Sequence, residues 1–177
     1  MTATVLIPSY RRSDSLIACL DAVLGGTRLP EQIVVVLRDS DEESHHALQA
    51  WRERAGQQQA LVELVEVSEP GQIAATNAGL AQARGDVVCF LDDDCRPTEQ
   101  WLERIMAWYQ DATVVGVGGR DIVHHGAVIS ARPSSPVGHI TWYGRVIGNH
   151  RQPRGDHPRE VHHLKGANMS FRRAVLP

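Results

Sequence analysis

The stretch that decides the fold is Val87-Val88-Cys89-Phe90-Leu91-Asp92-Asp93-Asp94, five apolar residues followed directly by three acids. A continuous apolar run of this length is typical of a strand that is covered on both faces, as in a parallel sheet. Ligands of open parallel sheets bind at the carboxyl ends of the strands. The run therefore predicts a buried central strand with a polar site at its end.

Similar segments extend this pattern along the chain. Short strands are predicted over residues 4–8, 33–37, 61–67 and 113–117. Helices are predicted from an N-cap at Ser13 or Asp14 to residue 24, over 41–54 and 72–83, and from Thr98 onward. Strands that alternate with helices indicate an α/β fold with a mostly parallel sheet in a three-layer sandwich. Beyond residue 121 the pattern fades, residues 144–163 look like a long loop, and 164–171 form a short closing run.

Composition and charge bound the class of protein. With 177 residues, 42% hydrophobic residues and a net charge of −3, the chain is expected to form one globular domain over residues 1–177. No basic excess is present, which argues against nucleic acid as a partner. Three cysteines in or beside apolar runs are typical of a reducing compartment. We expect a soluble, cytoplasmic protein, because no targeting or membrane-spanning segment is visible, and peripheral membrane contact is left open.

The acid triplet at residues 92–94 predicts a metal site. Three adjacent carboxylates repel one another, and burying any of them unpaired is costly. A divalent cation relieves that repulsion, and carboxylate oxygens are ligands that suit Mg²⁺ or Mn²⁺. The alternative is a solvated acidic turn that caps the following helix.

Two other strand ends carry polar residues toward the same edge of the sheet. Residues 8–12 offer backbone amides, a hydroxyl and two guanidinium groups, which suit a nucleotide and its phosphates. After the second strand, Arg38 could face a phosphate, and Asp39 or Asp41 could accept hydrogen bonds from a base or ribose. The alternative is that residues 39–41 only cap the next helix.

Five segments, taken together and in order, resemble glycosyltransferase family 2, whose fold is the Rossmann-like GT-A fold. They are VLIPSYRR at 5–12, ATNAGL at 75–80, ARGD at 83–86, FLDDD at 90–94 and GANMSFRR at 166–173. The resemblance implies transfer of a sugar from a UDP- or GDP-linked donor to a glycan or lipid-linked acceptor, in polysaccharide or glycoconjugate synthesis. A one-step displacement would invert the anomeric centre.

The resemblance also implies roles for particular residues. Asp92 would approach the ribose and the metal, and Asp94 would bind the metal, as the family's DXD motif does. The implied nucleotide-binding residues are Pro8, Ser9, Tyr10, Arg11, Arg38, Asp39, Asp41, Asn77, Asp92 and Asp93. The residues implied beneath the donor sugar and acceptor are Gly166, Ala167, Asn168 and Met169.

The chain departs from the family pattern at three points. Leu37 stands where the family has an acid after the second strand, so that Asp39 or Asp41 must serve instead. Thr76 stands where an arginine is common, and Arg38 could compensate for it. The resemblance places the general base beyond Pro177, so no catalytic residue is assigned.

Other functions are weighed against this one. A truncated or non-catalytic nucleotide-sugar-binding module is the main alternative, and a phosphotransferase of the haloacid dehalogenase type is disfavoured because Cys95 and Arg96 follow the acids.

The adjacent pairs His124-His125 and His162-His163 have the wrong spacing for a shared zinc ion. Among the aromatic residues, Trp101 and Trp108 are expected in the core, and Trp142 and Tyr143 either stack on a sugar or pack.

Overall fold

The computed structural model describes residues 1–122, 136–150 and 158–177. Four helices alternate with strands in these ranges: α1 (Ser13–Leu24), α2 (Glu42–Arg54), α3 (Gln72–Gln82) and α4 (Trp101–Trp108). The strands are β1 (Ala3–Ser9), β2 (Gln32–Arg38), β3 (Val62–Val67), β4 (Val87–Leu91), β5 (Gly116–Gly118), β6 (His139–Ile140), β7 (Val146–Ile147) and β8 (Asn168–Arg172).

Six of the strands form one mostly parallel sheet in the order β3-β2-β1-β4-β8-β5. The pairs β1–β2, β1–β4 and β2–β3 are parallel, as their continuous apolar runs predict. Strand β8 runs antiparallel between β4 and β5. The chain therefore has the α/β fold with helices flanking the sheet that the sequence predicts.

Alternating strand residues face two apolar cores, one on each side of the sheet. On the larger side, Val5, Ile33 and Cys89 pack beneath α1, α2 and α4. On the other side, Leu6 and Phe90 pack with Leu80 of α3. Full burial of a leucine or valine side chain contributes about 1.5–3 kcal/mol. These two layers of contacts hold the strand ends in fixed positions.

Helix α3 packs very closely on the sheet at Gly79. A Cβ atom at this position would lie 2.7 Å from Val36 Cγ2 and 2.9 Å from Leu6 Cδ1. The close approach fixes the middle of α3 against β1 and β2, and Asn77 lies two residues before this contact.

Several predictions for single elements are wrong. Strand β5 begins at Gly116 and not at residue 113, and β8 was missed as a strand that joins the sheet. Residues 144–163 are not wholly irregular, because Val146–Ile147 pairs with His139–Ile140 in a short hairpin. Helix α1 has Arg12 at its N-cap position, without a side-chain cap. The pair His124-His125 lies outside the described residues.

Within the described ranges, the helices are too short or too polar for any of them to cross a bilayer.

Candidate active site

The carboxyl ends of β2, β1 and β4 lie side by side, because β1 pairs in parallel with both neighbours. The segments that follow these strands, residues 8–12, 38–41 and 92–94, therefore meet at one edge of the sheet, called here the carboxyl edge. A direct contact joins two of them: Ser9 Oγ donates a hydrogen bond of 2.7 Å to Asp93 Oδ2. The structure thus brings together the three strand ends that the sequence predicts to form a site.

Asp93, the middle acid, is engaged within the chain through both of its oxygens. It is buried, Ser9 bonds to Oδ2, and Arg12 Nη1 lies 3.0 Å from Oδ1. The same Arg12 nitrogen lies 3.2 Å from Asp94 Oδ2. Hydrogen bonding and charge attraction from Asp93, with a further contribution from Asp94, raise the pKa of Arg12 above its usual value. These contacts favour a structural role for Asp93, and its contact with a nucleotide stays a prediction.

Asp92 and Asp94 stand on either side of Asp93 in the sequence and differ in their surroundings. Burial raises the pKa of the Asp92 carboxyl, and the charges of Asp94 and Asp93 add to this effect. The Asp94 side chain is 58% exposed. A half-buried carboxylate beside two others gains from any cation that reaches it. Metal binding by Asp92 and Asp94 stays a prediction.

The carboxylates at this edge suit a hard cation that is bound by a ligand at the same time. Among the described residues, no group of three or more His, Cys, Asp or Glu side chains could hold a metal ion by itself. Burial, together with the charges of Asp92 and Asp94, raises the pKa of the adjacent Cys95 thiol to about 11, so it stays protonated at neutral pH. Two carboxylates without a thiolate fit Mg²⁺ or Mn²⁺ that completes its shell with water and phosphate oxygens.

Tyr10 stands at the end of β1 between two cationic groups. Its ring is 46% exposed, and the guanidinium carbons of Arg11 and Arg38 lie 5.1 Å and 5.9 Å from the ring centroid. Arg38 Nε is buried and has no hydrogen-bond partner among the described residues. An exposed aromatic face with two guanidinium groups beside it can stack on a base or attract a phosphate.

The structure separates the two acids that the sequence offered for base or ribose recognition. Asp41 is buried at the N-cap of α2, where it accepts hydrogen bonds from the backbone nitrogens of Arg11, at 2.6 Å, and Ser44, at 3.3 Å. Burial alone would raise the pKa of Asp41, but these hydrogen bonds outweigh it and lower the pKa. Asp39 is exposed, so it is the carboxylate that a ligand can reach. The capping alternative thus fits Asp41.

The Arg11 contact has a conformational consequence. Arg11 has a φ of 53°, in the left-handed region that arginine rarely adopts. Its backbone N–H bonds to Asp41, which holds the turn that presents Tyr10 and Arg11 at the carboxyl edge. Backbone strain of this kind is often found at functional sites.

Asn77 lies on α3 beside a shallow groove. The groove has a volume of about 590 Å³ and is lined by residues 69–74 together with Asn77, whose side chain is exposed. Ile73 in the same groove is 78% exposed. The predicted contact of Asn77 with a nucleotide stays a prediction.

The segment predicted beneath the donor sugar leads into β8. Asn168 pairs with Leu91, the residue before Asp92, and this register brings the turn at 165–168 beside the acids. Gly166 is exposed and Ala167 is half-buried. Met169 packs against the smaller core on the α3 side of the sheet, which indicates a packing role.

The aromatic predictions have mixed outcomes. Trp101 packs partly against the larger core, as predicted, whereas Trp108 is 45% exposed, so its placement in the core was wrong. Trp142 and Tyr143 lie at the turn of the β6–β7 hairpin, 95% and 60% exposed, with ring centroids 5.4 Å apart. They do not pack into either core, and stacking on a sugar stays a prediction for them.

Three charged residues, Arg12, Lys165 and Asp121, make contacts at the site that the sequence did not predict. Of these, only Arg12 was expected near a ligand, as one of the two guanidinium groups of residues 8–12. Arg12 joins Asp93 to Asp94. Lys165 forms an ion pair with Asp121, and its charge partly offsets the raised pKa of Asp92. Arg12 stands in the quoted 5–12 motif, so its proximity to the acids was within reach. The pairing of Lys165 with Asp121 joins positions 44 apart and had no local signal.

Comparison with known proteins places this geometry in a class. The fold is similar to that of the Pyrobaculum calidifontis mannosyltransferase PcManGT in complex with GDP-Man and Mn²⁺, with a TM-score of 0.69 and 22% identity over 98% of this chain and 45% of that one. It is also similar to S. aureus TarS in complex with UDP-GlcNAc, with a TM-score of 0.66 and 18% identity over 99% of this chain and 46% of that one. The fold is thus the GT-A fold.

The family follows from the sequence. The model of glycosyl transferase family 2 matches residues 4–176, and the chain belongs to this family. It is 32% identical over 116 residues to the glycosyltransferase AglE of Haloferax volcanii, covering 66% of this chain and 38% of the relative. It is 26% identical over 179 aligned positions to the glucosyl-dolichyl phosphate glucuronosyltransferase of the same organism, covering 99% and 54%. The chain therefore spans about half or less of the length of these relatives.

Proposed function

We propose that this chain binds a nucleoside diphosphate sugar at the carboxyl edge and takes part in transferring the sugar to an acceptor hydroxyl with inversion. The observation that carries the proposal is the meeting of Asp92 and Asp94 with Tyr10, Arg11 and Asp39 at the ends of three adjacent strands. Membership in family 2 supports the same activity.

Asp92 and Asp94 are the residues that would hold Mg²⁺ or Mn²⁺ in this proposal. Such an ion, when bound, neutralises negative charge on the diphosphate leaving group. The mannosyltransferase of similar fold was solved with Mn²⁺ and GDP-Man, which supports a divalent ion here. Arg12 holds Asp94 through Nη1 at 3.2 Å and so presents that carboxylate beside Asp92.

The nucleotide would lie across the ends of β1 and β2. Tyr10 offers an exposed aromatic face to the base, and Asp39 offers a carboxylate to the base or ribose. Arg11 and Arg38 supply positive charge for phosphate oxygens, since Arg38 Nε makes no hydrogen bond among the described residues and lies 3.9 Å from Asp39 Oδ1. The nucleotides bound by similar structures are guanosine and uridine diphosphate derivatives, so we propose a UDP- or GDP-linked donor.

A lipid-linked acceptor is the class that the names of two relatives favour. The names of two relatives specify dolichyl phosphate and undecaprenyl phosphate substrates. The resemblance places the general base after residues 166–173, and in this proposal none of the described residues is assigned to take the proton of the acceptor hydroxyl.

A ligand panel tests the proposal. Thermal unfolding would be followed with UDP-glucose, UDP-GlcNAc and GDP-mannose, each with and without MnCl₂, because a ligand that binds only the folded chain raises Tm. We expect at least one of these donors to raise Tm in the presence of Mn²⁺, and Asp94→Asn to abolish most of that rise. The control is Glu53→Gln, an exposed acid near the end of α2, which ends at the opposite edge of the sheet.

The main alternative is a nucleotide-sugar-binding module without catalysis. It is favoured by the contacts of Asp93, because Ser9 and Arg12 engage both of its oxygens and this acid is not free to serve as a base. Slow hydrolysis or transfer of the bound sugar by the chain would exclude this alternative. Failure of all the donors to bind would contradict both functions.

A further inference from the structure

Trp101, the first residue of α4, makes a hydrogen bond into the predicted sugar-binding segment. Its indole Nε1–H donates to Asn168 Oδ1 at 3.0 Å, across 67 positions of sequence. Asn168 begins β8 and its backbone pairs with Leu91, the residue that precedes Asp92 at the end of β4. A side chain treated as part of the core therefore also contacts the site.

Gly119 packs against the same carboxamide from another direction. Its backbone N–H donates to the main-chain carbonyl oxygen of Asn168 at 3.1 Å. A Cβ atom on residue 119 would lie 2.3 Å from Asn168 Nδ2 and 2.9 Å from Cγ. Only glycine at position 119 therefore leaves room for the amide where it lies.

The indole contact also fixes which way the amide is turned. An indole N–H is a donor only, so the atom that faces it is the acceptor Oδ1 of Asn168. Within the part of the chain that the structure describes, this is the hydrogen bond that the carboxamide makes, and Nδ2 has no acceptor. Nδ2 lies against Gly119 but donates to no atom of the described residues, so its N–H groups can still donate to a ligand oxygen.

We propose that Trp101 and Gly119 are positioning residues that hold the Asn168 carboxamide so that its N–H donors meet an oxygen of the transferred sugar. This inference rests on the proposed function of the carboxyl edge. Trp101 and Gly119 act through Asn168 and do not touch the substrate. We assign Asn168 to the sugar and not to the nucleotide because of the strand order. Asn168 lies on the β8 side of the acids, whereas Tyr10 and Asp39 follow β1 and β2 on the other side.

The hydrogen bond itself can be observed without any ligand. In a spectrum of the chain labelled with ¹⁵N-indole, the Nε1–H signal of Trp101 is expected to exchange slowly with solvent, and Asn168→Ala is expected to shift it and speed its exchange. Trp108 is the internal reference, since it lies at the other end of the same helix and is 45% exposed. An unchanged Trp101 signal in Asn168→Ala would overturn the inference.

Ligand binding tests the positioning role. Trp101→Phe keeps an aromatic ring and removes the donor, and Trp108→Phe is the matched control. Dissociation constants would be measured with Mn²⁺ for UDP and GDP, and for UDP-glucose, UDP-GlcNAc and GDP-mannose. Loss of the orienting hydrogen bond is expected to weaken the tightest sugar nucleotide by roughly three- to tenfold and to leave the free diphosphate within about twofold. Gly119→Ala is expected to give the same pattern, because the added methyl group displaces the amide.

The outcomes separate the positioning role from the proposed function. If Trp101→Phe binds the sugar nucleotide as tightly as the wild type does, the inference is wrong and the proposed function stands. If both variants lose sugar nucleotide and free diphosphate equally, with a lower Tm, the residues are structural and the inference is again wrong. If the wild type binds neither class of ligand, the proposed function fails and this inference fails with it.

Discussion

The two ends of β2 carry polar residues in opposite situations. Gln32, its first residue, is buried and makes four hydrogen bonds: Oε1 accepts from Thr4 Oγ1 at 2.7 Å and Arg84 N at 2.9 Å, and Nε2 donates to Glu63 Oε2 and the Gln82 carbonyl, each at 3.0 Å. Arg38, its last residue, has a buried Nε that makes no hydrogen bond among the described residues and lies 3.9 Å from the exposed carboxylate of Asp39. The edge around Gln32 is called here the amino edge.

The pKa shifts of carboxylates at the two edges differ at one position, Asp92. At the amino edge, the Arg84 hydrogen bond lowers the pKa of Glu63, and the backbone of Thr2 lowers that of Asp86. At the carboxyl edge, hydrogen bonds also lower the pKa of Asp41, but burial and neighbouring acids raise that of Asp92. The carboxyl edge therefore contains one carboxylate whose charge is disfavoured by its surroundings and can be neutralised by a ligand. Strained electrostatics of this kind are characteristic of functional sites.

The largest difference in stability is expected between substitutions at the two ends of β2. Gln32→Leu would leave the Arg84 N–H and the Gln82 carbonyl without their partner, and we expect it to lower the free energy of unfolding by about 3 kcal/mol. Arg38→Met removes a group without a hydrogen bond at Nε, and we expect a change below about 0.5 kcal/mol. Urea unfolding of both variants measures the difference, and equal losses would contradict the contrast between the edges.

Glycines at the two edges provide a second comparison. A Cβ atom on Gly85 would lie 2.5 Å from Thr4 N and 2.7 Å from the carbonyl carbon of Ala3, so that backbone must move. We expect Gly85→Ala to cost about 2 kcal/mol, as overpacking does. A Cβ atom on Gly166 would meet nothing within 4 Å, and Gly166→Ala is the control for which Tm should stay unchanged. A fall in the Tm of Gly166→Ala as large as that of Gly85→Ala would show that the turn at 165–168 is packed as tightly as the amino edge.

Asp92→Asn is expected to stabilise the chain. Because the folded-state pKa of Asp92 is raised, its favourable contribution is present below the ordinary pKa of 3.8 and is lost as the pH rises through the folded value. At neutral pH and with EDTA present, replacing this carboxylate should raise the free energy of unfolding by about 1 kcal/mol. The control is Asp14→Asn in the first turn of α1, where loss of an acid should not raise Tm. A lower Tm for Asp92→Asn would contradict the account of this edge.

Substitution of Glu63 should change stability least, and the pH dependence of that change should be opposite to that of Asp92→Asn. Its pKa lies below the ordinary value of 4.5, chiefly through the Arg84 hydrogen bond. Its stabilising contribution is therefore complete above about pH 4.5 and is lost as the pH falls through the folded pKa. The Tm difference between the wild type and Glu63→Gln should shrink as the pH is lowered below 4.5. A difference that stays constant with pH would mean that the Arg84 pairing adds no stability.

Apolar patterning predicted the parallel half of the fold because each strand there is covered on both faces. Strands β1, β2 and β4 agree with the predicted runs to within a residue or two, and so does α2. Strand β8 gave a weak signal, since Asn168, Ser170 and Arg172 separate its apolar residues and Ser170 is the one that is fully buried. Pairing between distant strands, and not local patterning, specifies β8 and the β6–β7 hairpin.

The site was predictable in its location but not in the partners of its side chains. Three polar strand ends and a parallel sheet suffice to place residues 8–12, 38–41 and 92–94 at one edge. Sequence could not decide between Asp39 and Asp41, because the choice depends on a hydrogen bond from Arg11 N, which requires a φ of 53°. It also could not show that Arg12 and Ser9 engage Asp93, since these contacts span more than 80 positions.

The most direct test of the central claim is a crystal structure of the chain with Mn²⁺ and the sugar nucleotide that raises its Tm most. We predict a metal ion about 2.0–2.2 Å from carboxylate oxygens of Asp92 and Asp94, bridging them to the diphosphate, with the base beside Tyr10 and Asp39. A bound nucleotide located elsewhere, with both carboxylates facing solvent and no ion between them, would contradict the claim.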